Sequence, residues 1–285
     1  MIEAARSLQA PMFAAAQIIG TRARQEDYYG VVDLSDAGAE RVVFVVADGM
    51  GGHIGAAEAA RRVVETFCNS VRDGAGPLSE RLRTGLDKAN AALQQPNEAL
   101  LQGAGSTMLA AAVEQGKLTW ISVGDSALLL FRDGRIRRLN EDHSLPIVVN
   151  AAAPMSHTSA KPARRRQLRA AVAGRPLELV DECHQPVPLY TTDQILIATD
   201  GLETLSHDAI AVFLRRTVNL LPHASVARLI KRLARSADQD NTTIILYRPA
   251  ATAQSMSTNS RRFPLFALLT TVLFLAAVIV AWTVL

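Results

Sequence analysis

Acidic residues stand at five places where strand-like runs begin or end. Glu26-Asp27 precedes the apolar and aromatic run at 28–32, and Asp48-Gly49 closes RVVFVVA at 41–47. Asp125 follows a strand pattern in Val123-Gly124-Asp125-Ser126, Asp200-Gly201 closes the run at 195–199, and Asp240-Asn241 opens the run at 243–248. Each alone reads as a turn, because Asp and Gly favour turns for backbone reasons. Together they can converge at one end of a sheet structure. Converging like charges repel, so convergence calls for a cation. Hard oxygen donors select magnesium or manganese over zinc, and no His/Cys set at zinc spacing is present. Two such cations sharing a water lower its pKa, which suits in-line attack on phosphorus without a covalent nucleophile. No GxSxG, no CxxxxxR-type phosphate loop and no GxxxxGK[ST] competes with that chemistry. Arg22 and Arg24 lie just before Glu26-Asp27, and a guanidinium fork matches a phosphate bidentately.

The elements that must position these residues mix both periods. The β-branched run at 41–47 is a buried strand. Residues 56–67 read as a helix with Val63, Val64 and Phe67 inward, and Leu78, Leu82, Leu86, Ala89 and Leu93 mark a second. Strands are expected at 107–113, 118–123 and 127–132, with Gln115-Gly116 and Asp133-Gly134 as hairpin turns. A strand at 195–199, a helix through Val226, Leu229, Ile230 and Leu233, and a strand at 243–248 complete the pattern. Hairpin-joined strands argue for antiparallel sheets with helices outside. A parallel reading is weaker, because no helices separate the middle strands. Residues 145–175 show no clean period, so they are either a functional flap or an unread segment.

The chain has 285 residues, a net charge of +3 and two cysteines far apart, Cys68 and Cys183. The charge is too small to imply nucleic acid, and Arg164-Arg165-Arg166 reads as a solvated loop. The cysteines fit a reducing compartment better than a disulfide framework. Residues 1–16 contain Glu3 and no uninterrupted apolar stretch, so no signal peptide is expected. Residues 263–285 carry no charge, and about 20 apolar residues cross a bilayer's hydrocarbon core. Arg261 and Arg262 precede that run and Trp282 lies near its far end. The expected division is an N-terminal segment at 1–15, a catalytic domain at 16–248, a flexible linker at 249–262 and a transmembrane helix at 263–285. The linker reaches roughly 20 Å as a random coil. By the positive-inside tendency the chain is expected as a single-pass inner-membrane protein with its domain in the cytoplasm.

The segments Gly20-Thr21-Arg22-Ala23-Arg24-Gln25-Glu26-Asp27, Ala47-Asp48-Gly49-Met50-Gly51-Gly52-His53, Gly105-Ser106-Thr107, Val123-Gly124-Asp125-Ser126, Thr199-Asp200-Gly201-Leu202 and Asp240-Asn241-Thr242-Thr243 occur in that order. In kind and order they resemble the type 2C (PPM) metal-dependent protein serine/threonine phosphatases, in their bacterial form, over roughly 20–248. The resemblance implies an α+β fold, a four-layer αββα sandwich of two antiparallel sheets flanked by helices. It implies hydrolysis of phosphoserine and phosphothreonine in proteins by a water activated at a two-metal centre of Mn2+ or Mg2+. By matching position, Asp48 would bridge both metals and the Gly49 carbonyl would bind one. Asp200 and Asp240 would complete the first metal's shell, and Glu26 and Asp27 would act through metal-bound waters. Arg22 would hold the substrate phosphate, and Asp125 with Asp200 would offer a third, weaker metal site. The implied partners are phosphoproteins and a cognate serine/threonine kinase. Two positions depart from the pattern: Met50 stands where many eukaryotic members carry histidine, leaving a metal-bound water or His53 as acid, and Ala127 stands where arginine is frequent. Two other readings compete: a silent pseudophosphatase acting as a membrane-tethered phosphoprotein-binding module, and a metal hydrolase acting on small phosphates.

Overall fold

The computed structural model describes residues 12–36, 39–51, 54–94, 101–146 and 166–249. The chain opens with β1 (Phe13–Ile18), β2 (Asp27–Asp33) and β3 (Arg41–Met50), then α1 (Ile54–Asp73) and α2 (Leu78–Ala92). Strands β4 (Gly105–Ser106), β5 (Met108–Glu114), β6 (Lys117–Val123), β7 (Ala127–Arg132) and β8 (Arg135–Arg138) follow. The short β9 (Ser144–Pro146), β10 (Arg166–Leu168), β11 (Asp181–Glu182) and β12 (Val187–Pro188) come next. The chain then runs through β13 (Gln194–Ala198), a 3-10 turn over Asp200–Thr204, α3 (His207–Thr217), α4 (Pro222–Leu233) and β14 (Thr242–Tyr247).

Among the described residues two large sheets result, one ordered β1-β14-β13-β7-β8 and the other built on β11-β6-β5-β3-β2, with β12 on β6 and β4 on β3, while β9 and β10 form a separate two-stranded sheet. Every described strand pairing is antiparallel, as the hairpin spacing predicts. The turn residues Gln115, Gly116, Asp133 and Gly134 all have positive φ (50°, 71°, 52° and 78°), the geometry that matches the twist of a tight hairpin.

Alternation along each strand explains the layers. On β3, Val42, Phe44 and Val46 pack between the sheets with Ile195, Ile197, Ile245 and Tyr247. Val43, Val45 and Ala47 point the other way, onto Val63, Phe67, Leu82 and Leu86 of α1 and α2. On the second sheet, Leu196, Ala198, Ile244 and Leu246 meet Ile210, Leu214, Val226 and Leu229 of α3 and α4. The order is therefore helices, sheet, sheet, helices. A strand covered on both faces must be apolar at every position, which is why 41–47 reads as an unbroken run. Each large side chain buried between the sheets contributes about 1.5–3 kcal/mol.

The structure adds elements that the pattern reading lacks. Strand β1 brings the chain into the sheet from Phe13, three residues before the domain start read at 16, by pairing with β14 along its whole length. Helix α3 was not expected, although its signals are present. Ser206 caps it by accepting from the Ala209 N–H (3.2 Å), Asp208 lies in the first turn and Arg215 and Arg216 in the last. The irregular stretch at 145–175 leaves and returns as the antiparallel pair β9–β10, and its middle, 147–165, lies outside the described residues. His53, the linker from 250 and the expected membrane helix at 263–285 also lie outside them. Among the described residues no helix is long and apolar enough to cross a membrane.

Candidate metal centre

Register brings the acidic positions to one end of both sheets. In one sheet Asp27, the first residue of β2, faces Asp48 near the end of β3. In the other, Ala198 at the end of β13 faces Ile244 of β14 and Ala127 at the start of β7. Asp200 and Asp240 therefore flank the same edge, and Asp125 lies in the connection that carries β6 of one sheet into β7 of the other. The two sheets are tied at this edge through Asp27. Its Oδ2 accepts from the hydroxyls of Thr199 and Thr243, each at 2.8 Å.

The electrostatics match the crowding. Burial pushes the Asp48 carboxyl well above the usual carboxylate range, and the charges of Asp27, Asp200, Asp125 and Asp240 push it further. Burial, with the charges of Asp125, Asp240 and Asp27, raises Asp200 to about 7. Burial raises Asp27 to about 6, against the lowering effect of its two threonine hydroxyls. Asp125 is raised mainly by burial. Asp27 Oδ1 and Asp200 Oδ1 are buried and have no hydrogen-bond partner among the described residues. Buried carboxylate oxygens normally find a donor. Partnerless oxygens among mutually repelling carboxyls fit a hard divalent cation, which takes oxygen donors and relieves the repulsion. As placed, no three of the described carboxyl, imidazole or thiol groups close on one point. Asp240 turns outward to pair with the Arg22 guanidinium.

The backbone around Asp48 is closely held. Its N–H donates to Thr107 Oγ1 (2.9 Å), and its carbonyl accepts from the Thr107 N–H (2.8 Å) and from Ser106 Oγ (2.9 Å). Gly49 donates to the Glu26 carbonyl at 3.1 Å. A Cβ on Gly49 would lie 2.1 Å from the Ala56 carbonyl oxygen and 2.8 Å from that of Glu26. Only glycine lets the end of β3 and the first turn of α1 approach this closely. Gly201 is under the same constraint, with the Asn241 carbonyl 2.2 Å from where its Cβ would be.

Of the residues read from the sequence, Asp27, Asp48, Asp125, Asp200 and Asp240 share one electrostatic neighbourhood. Glu26 stands beside Asp27, and its charge acts on that residue. Arg22 sits at the exposed rim. Sequence reasoning assigned no role to the residues that hold this set. Asn241 Oδ1 accepts from the Glu26 N–H (2.8 Å), and its Nδ2 donates to the carbonyls of Ile19 (2.8 Å) and Arg24 (2.9 Å), clamping the loop that carries Arg22 and Glu26. Where arginine was looked for at 127, Arg138 from β8 reaches instead to the carbonyls of Asp125 (2.7 Å) and Ser126 (3.1 Å). His143 Nδ1 accepts from the Gly124 N–H at 3.2 Å. The signal for Asn241 was its place directly after Asp240; Arg138 and His143 carried no local signal.

The family described as Protein phosphatase 2C matches residues 17–243. A serine/threonine phosphatase, stp, of Listeria innocua is 29% identical over 249 residues, covering 79% of this chain and 90% of that protein. The crystal structure of the Mycobacterium tuberculosis serine/threonine phosphatase PstP/Ppp superposes with a TM-score of 0.65 at 25% identity, covering 83% of this chain and 97% of that one. The catalytic domain of PstP in complex with two manganese ions gives a TM-score of 0.63 at 26% identity, over 83% of this chain and 96% of that one.

Proposed function

The chain belongs to the protein phosphatase 2C family, and from that membership we propose that it hydrolyses phosphoserine and phosphothreonine in proteins with the help of two manganese or magnesium ions. The observation that carries the reading is the set of buried carboxyls at the paired sheet ends, with Asp27 Oδ1 and Asp200 Oδ1 lacking a hydrogen-bond partner among the described residues. Asp48, the Gly49 carbonyl, Asp200 and Asp240 would hold the ions, with Glu26 and Asp27 acting through ordered water and Asp125 with Asp200 offering a third, weaker site. Bound ions of this kind activate water for attack and neutralise charge developing on phosphoryl oxygens. Asp27 has Oδ2 committed to Thr199 and Thr243, so Oδ1 alone remains to accept from such a water. Asn241 and the Ser106-Thr107 pair keep the backbones of Glu26 and Asp48 from shifting as charge enters the site.

The test is hydrolysis of a phosphothreonine peptide by the full chain with manganese, with magnesium and with EDTA. Phosphate release with metal that EDTA abolishes supports the reading. A folded protein that releases none with either metal would move the assignment to a binding module.

Arg22 carries the substrate phosphate in this proposal. Its guanidinium is exposed and engages Asp240, so it can turn toward an anion at the rim without crossing the core. Arg22→Ala is expected to raise KM about tenfold with a smaller change in kcat, the pattern of a contact made already in the ground state. A loss confined to kcat, measured on the same peptide, would contradict that role.

The phosphoprotein substrate must be supplied by a serine/threonine kinase. The proposal places the domain on the cytoplasmic face of the inner membrane, because 263–285 is uncharged and follows Arg261-Arg262. The full chain is expected in the membrane fraction, and a chain ending at residue 260 in the supernatant. A full chain that stays in the supernatant would remove the anchor.

A further inference from the structure

An open cleft of about 320 Å³ lies beside the carboxylate cluster, lined by Met50 together with residues 168–178, from the last residue of β10 onward. Met50 is two residues past Asp48 on the same strand, hence on the same face and about 7 Å along it. The opposite wall is built rather than loose. Val172 exchanges two backbone hydrogen bonds with Ser106 (2.8 and 2.9 Å), whose hydroxyl also holds the Asp48 carbonyl. The Arg169 N–H donates to the His143 carbonyl at 2.8 Å. Asn90 on α2 accepts from the N–H groups of Ala173 (3.2 Å) and Gly174 (3.0 Å) and donates to the Arg175 carbonyl at 2.7 Å.

This pinned backbone presents three charged side chains at the cleft, Arg169, Arg175 and Glu178, all exposed. Among the described residues neither guanidinium has an ion-pair or hydrogen-bond partner. Two cations against one anion leave the cleft positive, while its remaining surface, from Met50, Leu168, Ala173 and Leu177, is apolar. An extended peptide advances about 3.3–3.6 Å per residue. With a phosphorylated side chain at Asp48, residues two or three positions away reach the cleft.

We infer that this cleft selects the sequence around the phosphorylated residue: Arg169 and Arg175 favour phosphopeptides carrying an acidic residue two or three positions from the phosphoresidue, and Glu178 limits that preference. The inference rests on the phosphatase reading above, and it concerns which phosphoprotein is taken rather than how phosphate is released. Because the pairs are exposed, salt weakens the selection.

The test uses the full chain with manganese on phosphothreonine peptides that differ in one flanking residue, Asp, Ala or Lys, scanned from three before to three after. p-Nitrophenyl phosphate serves as a flank-free substrate. At the best position kcat/KM is expected to be about fivefold higher with Asp than with Ala, the scale of two exposed ion pairs. The Asp/Ala ratio is read within each variant, so any loss common to both peptides cancels. It should fall to near one in Arg169→Ala/Arg175→Ala, invert in Arg175→Glu and grow in Glu178→Lys. Opposite movement of the last two variants cannot come from general loss of fold. Equal rates on all peptides by a chain that hydrolyses p-nitrophenyl phosphate would overturn the cleft assignment and leave the phosphatase reading standing. A chain that hydrolyses nothing would overturn both.

Discussion

Asp48→Asn is expected to lower kcat/KM on a phosphothreonine peptide at least a thousandfold, about 4 kcal/mol of transition-state stabilisation, while the chain keeps its fold. The backbone of Asp48 is held by Ser106 and Thr107 through bonds that the amide side chain does not touch, so the exchange leaves β3 in place. What it removes is the one carboxylate whose proton affinity is raised by four others at once, Asp27, Asp200, Asp125 and Asp240. In EDTA the variant should melt above the parent chain, because a buried repulsion has gone. The sign follows from linkage. Asp27, at about 6, and Asp200, at about 7, bind protons more tightly in the folded chain than an ordinary aspartate at 3.8 does. The folded state then holds more protons between about pH 4 and 7, so the stability of the parent chain in EDTA falls as pH rises through that window. Manganese should reverse the trend by binding the charged carboxylates, and Asp48→Asn should lose most of that manganese-induced rise in Tm. Calorimetry at pH 5 and pH 8, with manganese and with EDTA, measures all of this. Parental turnover in Asp48→Asn with manganese would remove Asp48 from the metal set.

How much of this was visible in the sequence depends on the range of the interactions. The acidic positions were legible because each is a local event, a carboxylate at the end of an apolar run, and the strands were legible because both their faces are buried. The residues that organise the carboxylates were not. Thr199 and Thr243 meet Asp27 across 172 and 216 positions of chain, and Asn241 reaches Glu26 across 215. No local period encodes such pairs. Arg138 illustrates the same limit: the family pattern looks for arginine at 127, while here the carbonyls of Asp125 and Ser126 are served from β8, a strand later. Helix α3 is the opposite case. Its cap and end charges are plain in the sequence, but Ile210, Ala211, Phe213 and Leu214 crowd into five positions and hide the stripe that they form.

Gly49→Ala should damage the same site by a different physical route, and the contrast separates ligand chemistry from positioning. The added methyl would stand 2.1 Å from the Ala56 carbonyl oxygen, 2.5 Å from its carbon and 2.8 Å from the Glu26 carbonyl oxygen. All three are backbone atoms, so no rotamer relieves the contact. Either the end of β3 or the first turn of α1 must move. Overpacking costs about 1–3 kcal/mol, and a clash between fixed backbones belongs at the upper end. At about 2–4 °C per kcal/mol for a domain of this size, Tm should fall about 10 °C. Activity should fall about a hundredfold, since a displacement near 1 Å at a reacting centre costs that much. Unlike Asp48→Asn, this variant must lose stability in EDTA as well as in manganese, because its defect is steric and does not depend on charge. An unchanged Tm would mean that α1 gives way freely, and the tight approach of Ala56 to Gly49 would then play no part in placing the carbonyl beside Asp48.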